Sequence, residues 1–317
     1  MVAGEYTVLN SGLSLSSTVN QFMWVNCSLS ENNKDEIRSD YWTEPFTGDV
    51  TKLPTDKLLS SPLLSTVAWV RRKFSLSHLS LVVNSQLSPS FGFGSSSALR
   101  LGIISAAYCL RYSCEELSAE QSLCIARWSK DLQEKDQHGF SSGYDIITQV
   151  TGSVVLFKSE NGAKWPEFVR QVPGVSQTLN KYVRVYCGGK GAKTSEVVGK
   201  TFSWLQKTSM LSHLSECSQK LISLLIDGSR NDDYLYELSS RFHSCRRVFE
   251  KSEFFPTQLA SDLKSLAGVD KYWSFKMTGA GGEDSILLVG EDKDLQAAHD
   301  LLTNCGWFLF VHNFLYS

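Results

Sequence analysis

The stretch Pro89-Ser90-Phe91-Gly92-Phe93-Gly94-Ser95-Ser96-Ser97-Ala98-Leu99 decides how the rest of the chain is read. It follows an apolar run, residues 79–84, that suits a strand, and it opens a small, apolar, helix-compatible segment over residues 98–110. Its two glycines let the backbone turn tightly and approach a ligand closely. Unpaired N–H groups at a helix start, with the positive end of the helix dipole, make an anion site. Three serine hydroxyls can meet phosphate oxygens or a metal ion. No Gly-Lys-Ser/Thr follows, so this is not a Walker A loop, and the glycine spacing does not fit the Rossmann fingerprint. A plain flexible Gly/Ser loop is the alternative reading.

Three other segments carry comparable chemistry. Lys276-Met277-Thr278-Gly279-Ala280-Gly281-Gly282-Glu283-Asp284-Ser285 is a glycine cluster between two strand-like runs, suited to a wide hairpin turn or to a second clamp on phosphates or substrate. In His138-Gly139-Phe140-Ser141-Ser142-Gly143-Tyr144-Asp145, Asp145 stands just past a glycine turn. A carboxylate there can accept a hydroxyl proton or hold Mg²⁺, or it can cap a helix over residues 146–150. His138 reads as a loop histidine. Gly188-Gly189-Lys190-Gly191-Ala192-Lys193-Thr194-Ser195 offers two lysines and two hydroxyls before a helix, which suits an anionic substrate or a solvated loop with Thr194 as N-cap.

Around these segments the chain is ordinary. Its 317 residues exceed what one core readily supports, so two lobes are expected, with a boundary in the polar stretch 158–173. Hydrophobic residues make up 42% and charged residues 20%, and the net charge of −2 argues against a general nucleic-acid or membrane-surface binder. No apolar stretch reaches ~18 residues, so no transmembrane helix is expected, and Met1 to Tyr6 does not resemble a signal peptide. The eight cysteines form no CxxC pair and no zinc spacing. Cys109 and Cys124 read as small buried residues in apolar helical patterns, and a reducing cytoplasm is the expected setting. Strands are expected over 19–25, 153–157, 181–187, 274–277 and 285–289. Helices are expected after an N-cap at Ser118, over 194–225 with a hinge near 208–212, over 232–250 and over 295–305. That mixture is α+β, without the βαβ alternation of a doubly wound sheet.

Together, and in this order, the segments resemble the GHMP kinase family, named for galactokinase, homoserine kinase, mevalonate kinase and phosphomevalonate kinase. Ala3-Gly4-Glu5-Tyr6-Thr7-Val8-Leu9 is similar to the first family motif in its phosphomevalonate kinase form. Residues 89–99 are similar to the second, the phosphate loop, and 276–284 to the third. Ser142-Gly143-Tyr144-Asp145 resembles the segment that carries the catalytic aspartate, and 189–194 a substrate loop of phosphomevalonate kinases.

The resemblance implies a two-lobed GHMP kinase fold. An N-terminal ribosomal protein S5 domain 2-like lobe (1–165) would bind ATP, and a C-terminal ferredoxin-like α+β lobe (166–317) would complete the enzyme. It implies transfer of the ATP γ-phosphoryl group to phosphomevalonate. Mevalonate is the runner-up acceptor, and a catalytically silent nucleotide or metabolite sensor is the alternative of another class. Asp145 and Ser96 would be catalytic and would hold Mg²⁺. Pro89, Gly92, Gly94, Ser95, Ser96, Ser97, Gly279, Gly281 and Gly282 would bind the nucleotide. Glu5, Tyr6, Ser142, Lys190, Lys193, Thr194, Ser195 and Gly281 would bind the substrate, with the chain acting as a monomer or homodimer. The sequence departs from the pattern at four places: the family lysine upstream of the first motif would precede Met1, Phe93 replaces a leucine, Glu283 replaces a glycine, and residues 138–142 match the family only loosely.

Overall fold

The computed structural model describes residues 1–136, 141–159, 165–188, 194–228, 231–253, 255–279, 285–311 and 314. The strands are β1 (Leu13–Ser17), β2 (Met23–Leu29), β3 (Asp35–Ser39), β4 (Phe46–Gly48), β5 (Leu79–Ser85), β6 (Val154–Lys158), β7 (Phe168–Gln171), β8 (Val183–Cys187), β9 (Ser274–Met277), β10 (Ser285–Val289) and β11 (Phe308–Val311). The helices are α1 (Thr55–Leu59), α2 (Pro62–Phe74), α3 (Ser95–Tyr112), α4 (Ala119–Asp136), α5 (Tyr144–Thr151), α6 (Gly174–Tyr182), α7 (Thr194–Lys207), α8 (Met210–Asp227), α9 (Tyr234–Phe249), α10 (Thr257–Lys264) and α11 (Asp292–Asn304). The mixed α+β class expected from the sequence is the one observed.

Packing divides the chain into two compact units. One comprises 21–89 with 94–146, and the other 1–20, 90–93 and 147–317. Position 165/166 falls inside the second of these units, where β6 pairs with β7 across it and Leu15 and Val154 share a core cluster with Val185 and Leu221.

The unit built from 21–89 and 94–146 has a four-stranded sheet in the order β2-β5-β3-β4. Only β3 and β5 run parallel. Burial alternates along β5, with Leu79, Leu81 and Val83 turned into the core, as a sheet with one packed face requires. Val67 and Val70 of α2 and Ile103 and Ile104 of α3 are buried in the same unit. A Cβ at Gly102 of α3 would stand 2.6 Å from a Val25 methyl, so this helix lies against β2 at a distance only glycine allows. Asp35, fully buried, accepts N–H groups from Val50 and Leu79 and a 2.7 Å hydrogen bond from Arg71, which ties α2 to the sheet.

The other unit has two antiparallel sheets, β1-β6-β7 and β11-β8-β10-β9. Every residue of β8, β9 and β10 is buried, which accounts for their short, nearly continuous apolar runs. One core cluster joins Leu15, Val154, Val185, Leu221 and Phe242, and a second joins Tyr6, Tyr186, Phe249, Trp273 and Phe275.

Several boundaries differ from the sequence reading. The strand expected over 19–25 lies at 23–29, where Trp24, Asn26 and Ser28 face outward and Met23, Val25 and Cys27 are half-buried, so its apolar residues form no continuous run. The segment 174–182 is helical, so the strand expected from 181 begins at Val183. The hinge expected near 208–212 is present: Ser209, with φ 58°, separates α7 from α8.

Candidate active site

Two glycines shape the loop before α3. Gly92 and Gly94 both have left-handed backbones, φ 70° and 73°, where a side chain would be strained. Gly94 is the N-cap of α3, and its carbonyl accepts the N–H groups of Ser97 (3.0 Å) and Ala98 (2.9 Å). With no capping side chain, the N–H groups of Ser95 and Ser96 lack an intrahelical partner and stand at the positive helix end. Ser95 is buried and Ser96 half-buried. Pro89 begins a short 3-10 turn that delivers the chain to this loop.

Within the same unit, α3, α4 and α5 converge on one carboxylate. Gly143, with φ 72°, turns the chain so that Asp145 falls in the first turn of α5. The Ser97 hydroxyl donates to Asp145 Oδ2 at 2.5 Å. The Gln133 amide donates to the same oxygen at 3.2 Å and to Ser97 Oγ at 3.1 Å. Ser141 donates to Gln133 Oε1 at 2.8 Å, which fixes which end of that amide faces the carboxylate. Both bonds at Asp145 fall on Oδ2, so Oδ1 is without a hydrogen bond among the described residues. Ser142 is buried beside this cluster in sequence. Asp145 therefore faces Ser97 across the fold, whereas the cap reading needs its carboxylate only at its own helix. Ser97, rather than Ser96, supplies the contacting hydroxyl.

The other unit holds the first and third segments. Gly279 also has a left-handed backbone, φ 68°, and a Cβ there would lie 3.4 Å from the Gly92 carbonyl oxygen. The two glycine loops thus meet backbone to backbone. Phe93 stacks on Phe310 with ring centroids 4.7 Å apart, and Phe91 contacts both Phe308 and Phe310, which anchors the loop to β11. Glu5 and Lys276 form an ion pair and are only 4% and 2% exposed. Tyr6 is buried against Phe249 at 5.7 Å. Gly281, Gly282, Glu283, Lys190, Lys193 and His138 lie outside the described residues. Thr194 and Ser195 open α7.

Sequence reasoning missed Gln133 and Ser141. Nothing in the local pattern of α4 singles out Gln133, since its role depends on contacts 12 and 36 positions away. Lys276 did carry a signal, a lone charge inside the apolar run of β9. Among the described residues, the one cluster of three metal-type ligands is Asp35, Asp49 and His78. Arg71 already bridges its two carboxylates at 2.7 Å each, so the cluster is an ion-pair network.

No protein-family model and no curated protein sequence matches the chain. Solved structures do. The phosphomevalonate kinase of Streptococcus pneumoniae in complex with phosphomevalonate and AMPPNP matches with a TM-score of 0.77 at 17% identity, over 99% of this chain and 97% of that one. The chain has the GHMP kinase fold. The same fold is shared with the Methanococcus jannaschii mevalonate kinase, TM-score 0.71 at 14% identity, over 98% of this chain and 93% of the other. It is shared too with the Lactococcus lactis galactokinase complexed with galactose, TM-score 0.71 at 13% identity, over 100% and 92%. Within this GHMP kinase fold, no described helix is long and apolar enough to cross a membrane.

Proposed function

We propose that the protein is an ATP-dependent phosphotransferase whose acceptor is phosphomevalonate. The observation that carries this reading is the Ser97–Asp145–Gln133 constellation at the first turn of α3, a helix start with free N–H groups and no capping side chain. Phosphoryl transfer depends on positioning and charge neutralisation more than on covalent chemistry. The N–H groups after Gly94 suit the phosphates, and Asp145 Oδ1 orients the acceptor oxygen. Oxygen donors suit Mg²⁺, which commonly takes one or two carboxylates and completes its shell with phosphates and water. Asp145 and the half-buried Ser96 hydroxyl fit that donor set. Mg²⁺ bound there would neutralise phosphate charge. Residues 1–165 serve as the nucleotide lobe in this reading, and Lys190, Lys193, Thr194, Ser195 and Ser142 receive the acceptor's phosphate and carboxylate. Glu5 and Tyr6, both buried, support the first motif from within the core.

A coupled assay offering mevalonate, phosphomevalonate, homoserine and galactose with ATP and Mg²⁺ tests the reading. Phosphomevalonate is expected to be turned over best. Asp145→Asn should lower kcat by roughly 10²–10⁴-fold with an unchanged circular dichroism spectrum. Preference for mevalonate would move the assignment to that acceptor. A second reading, nucleotide binding without turnover, is favoured by the hydrogen bonds that already occupy Asp145 Oδ2. ATP binding with no turnover of any acceptor would establish it.

A further inference from the structure

The sequence scatters its cysteines without a pairing motif, but the fold brings two of them together. Cys109 lies in the last turn of α3, and Cys114 lies just beyond its C-cap. Ser113 at that cap has a left-handed backbone, φ 54°, and the Cys114 N–H returns to the Cys109 carbonyl at 3.2 Å. This helix-ending bond holds the two backbones side by side. The Cys114 thiol points at Cys109 Sγ, with the sulfurs 3.3 Å apart. Both residues are half-buried, and Arg111, Tyr112, Ser113 and Glu115 around them are exposed, so a small reagent reaches the pair from solvent.

We propose that Cys109 and Cys114 form a reactive dithiol, a modification site that low-molecular-weight disulfides oxidise to an intrachain disulfide. Bonded sulfurs stand about 2.05 Å apart, so closure requires side-chain rotation over a short distance while the backbone bond stays in place. One thiolate of the pair attacks one sulfur of the oxidant and expels a thiolate, leaving that cysteine in a mixed disulfide. The other cysteine then gives up its proton and attacks that sulfur, expelling the second thiolate. Two protein thiols and one small disulfide become one protein disulfide and two small thiols. The protein loses two electrons, and the oxidant gains them. Burial, reinforced by the neighbouring Cys114, pushes the Cys109 thiol up to about 11. Attack requires the thiolate, so closure should quicken as pH rises. Of the other six cysteines, Cys187, Cys217 and Cys245 are buried, Cys27 and Cys124 are half-buried, and Cys305 is exposed.

The test uses the full chain under native conditions with oxidised glutathione, followed by thiol titration and peptide mass mapping. The Cys109 and Cys114 thiols, two of the eight, should be lost together, independently of any mixed disulfide at the exposed Cys305, with a peptide bearing a 109–114 link two hydrogens lighter and restored by dithiothreitol. Cys109→Ser and Cys114→Ser should each abolish the link and leave at most a mixed disulfide at the cysteine that remains. The proposal is overturned if both residues remain thiols while Cys305 is glutathionylated. It is equally overturned if the 109–114 link forms only after unfolding in urea. The mapping of the unaltered chain decides the matter even where a variant fails to fold.

Discussion

Gln133 spends all three of its contacts on the surroundings of one carboxylate. Its amide NH₂ meets Ser97 and Asp145, and its oxygen is fixed by Ser141. Under the kinase reading it therefore positions Asp145 without touching substrate. Gln133→Leu is expected to lower kcat roughly 10–100-fold, the usual range for a residue that orients a ligand or base, with the KM for ATP little changed in steady-state kinetics. Gln133→Glu adds a like charge beside Asp145, which raises the pKa of a carboxylate. The acidic limb of its pH–rate profile should shift upward, an effect that mere loosening of the fold would not produce. Asp270 is a second residue with a readable electrostatic consequence. Burial alone would raise its pKa, but hydrogen bonds from His243, Arg246 and Ser274 outweigh that and hold it well below the usual carboxylate range. A depressed folded-state pKa contributes stability that is fully present above the unfolded value of ~3.9 and lost as pH falls below it. Asp270→Asn should cost about 2 kcal/mol at pH 7 by urea denaturation, and the gap to the unaltered protein should shrink below pH ~4.

The elements were legible where one pattern dominated. Strands β9 and β10 fall at the residues expected, because short apolar runs bounded by glycines fit little besides buried strands. Helix α6 was hidden: it follows Pro173 and buries mainly Val175 and Leu179, too few apolar positions to show a helical period. The α7–α8 break was visible as a hydroxyl-rich interruption, and its physical basis is the left-handed Ser209. A non-glycine residue there costs roughly 1–2 kcal/mol, partly offset by the entropy that glycine would add to the unfolded chain. Ser209→Gly should therefore raise stability by about 0.5–1 kcal/mol in chemical denaturation. Gly4 makes the opposite case. Its φ is 96°, and a Cβ would stand 2.4 Å from the Leu13 carbonyl oxygen. Gly4→Ala should cost more than about 3 kcal/mol, measured the same way.

At the scale of the whole molecule, the order of the motifs pointed to the fold, and their partners were what the sequence concealed. Asp145 stood out beside its glycine turn, yet its contact with Ser97 spans 48 positions. Glu5 stood out in the first motif, yet its ion pair with Lys276 spans 271 positions and is buried. A carboxylate next to glycine looks the same in sequence whether it meets a ligand or a lysine, and only the folded core distinguishes them. Removing one member of a buried pair strands the other charge. Lys276→Met should therefore cost about 3–5 kcal/mol, and Glu5→Gln combined with it should recover part of that loss in a double-mutant cycle.

The pairing of β1 with β6 has a consequence for biosynthesis. The Ser14 hydroxyl bonds to the Phe157 carbonyl, 143 positions later, and Glu5 awaits Lys276 for nearly twice that distance. At ~5–20 residues per second a ribosome takes roughly 7–30 s to make the first of these partners. Throughout that interval the apolar side chains of Val2, Ala3 and Leu15 have none of their β6 neighbours, Val154 among them, to cover them. The segment 2–17 consequently needs a chaperone until β6 has emerged, and until then it lies open to a protease.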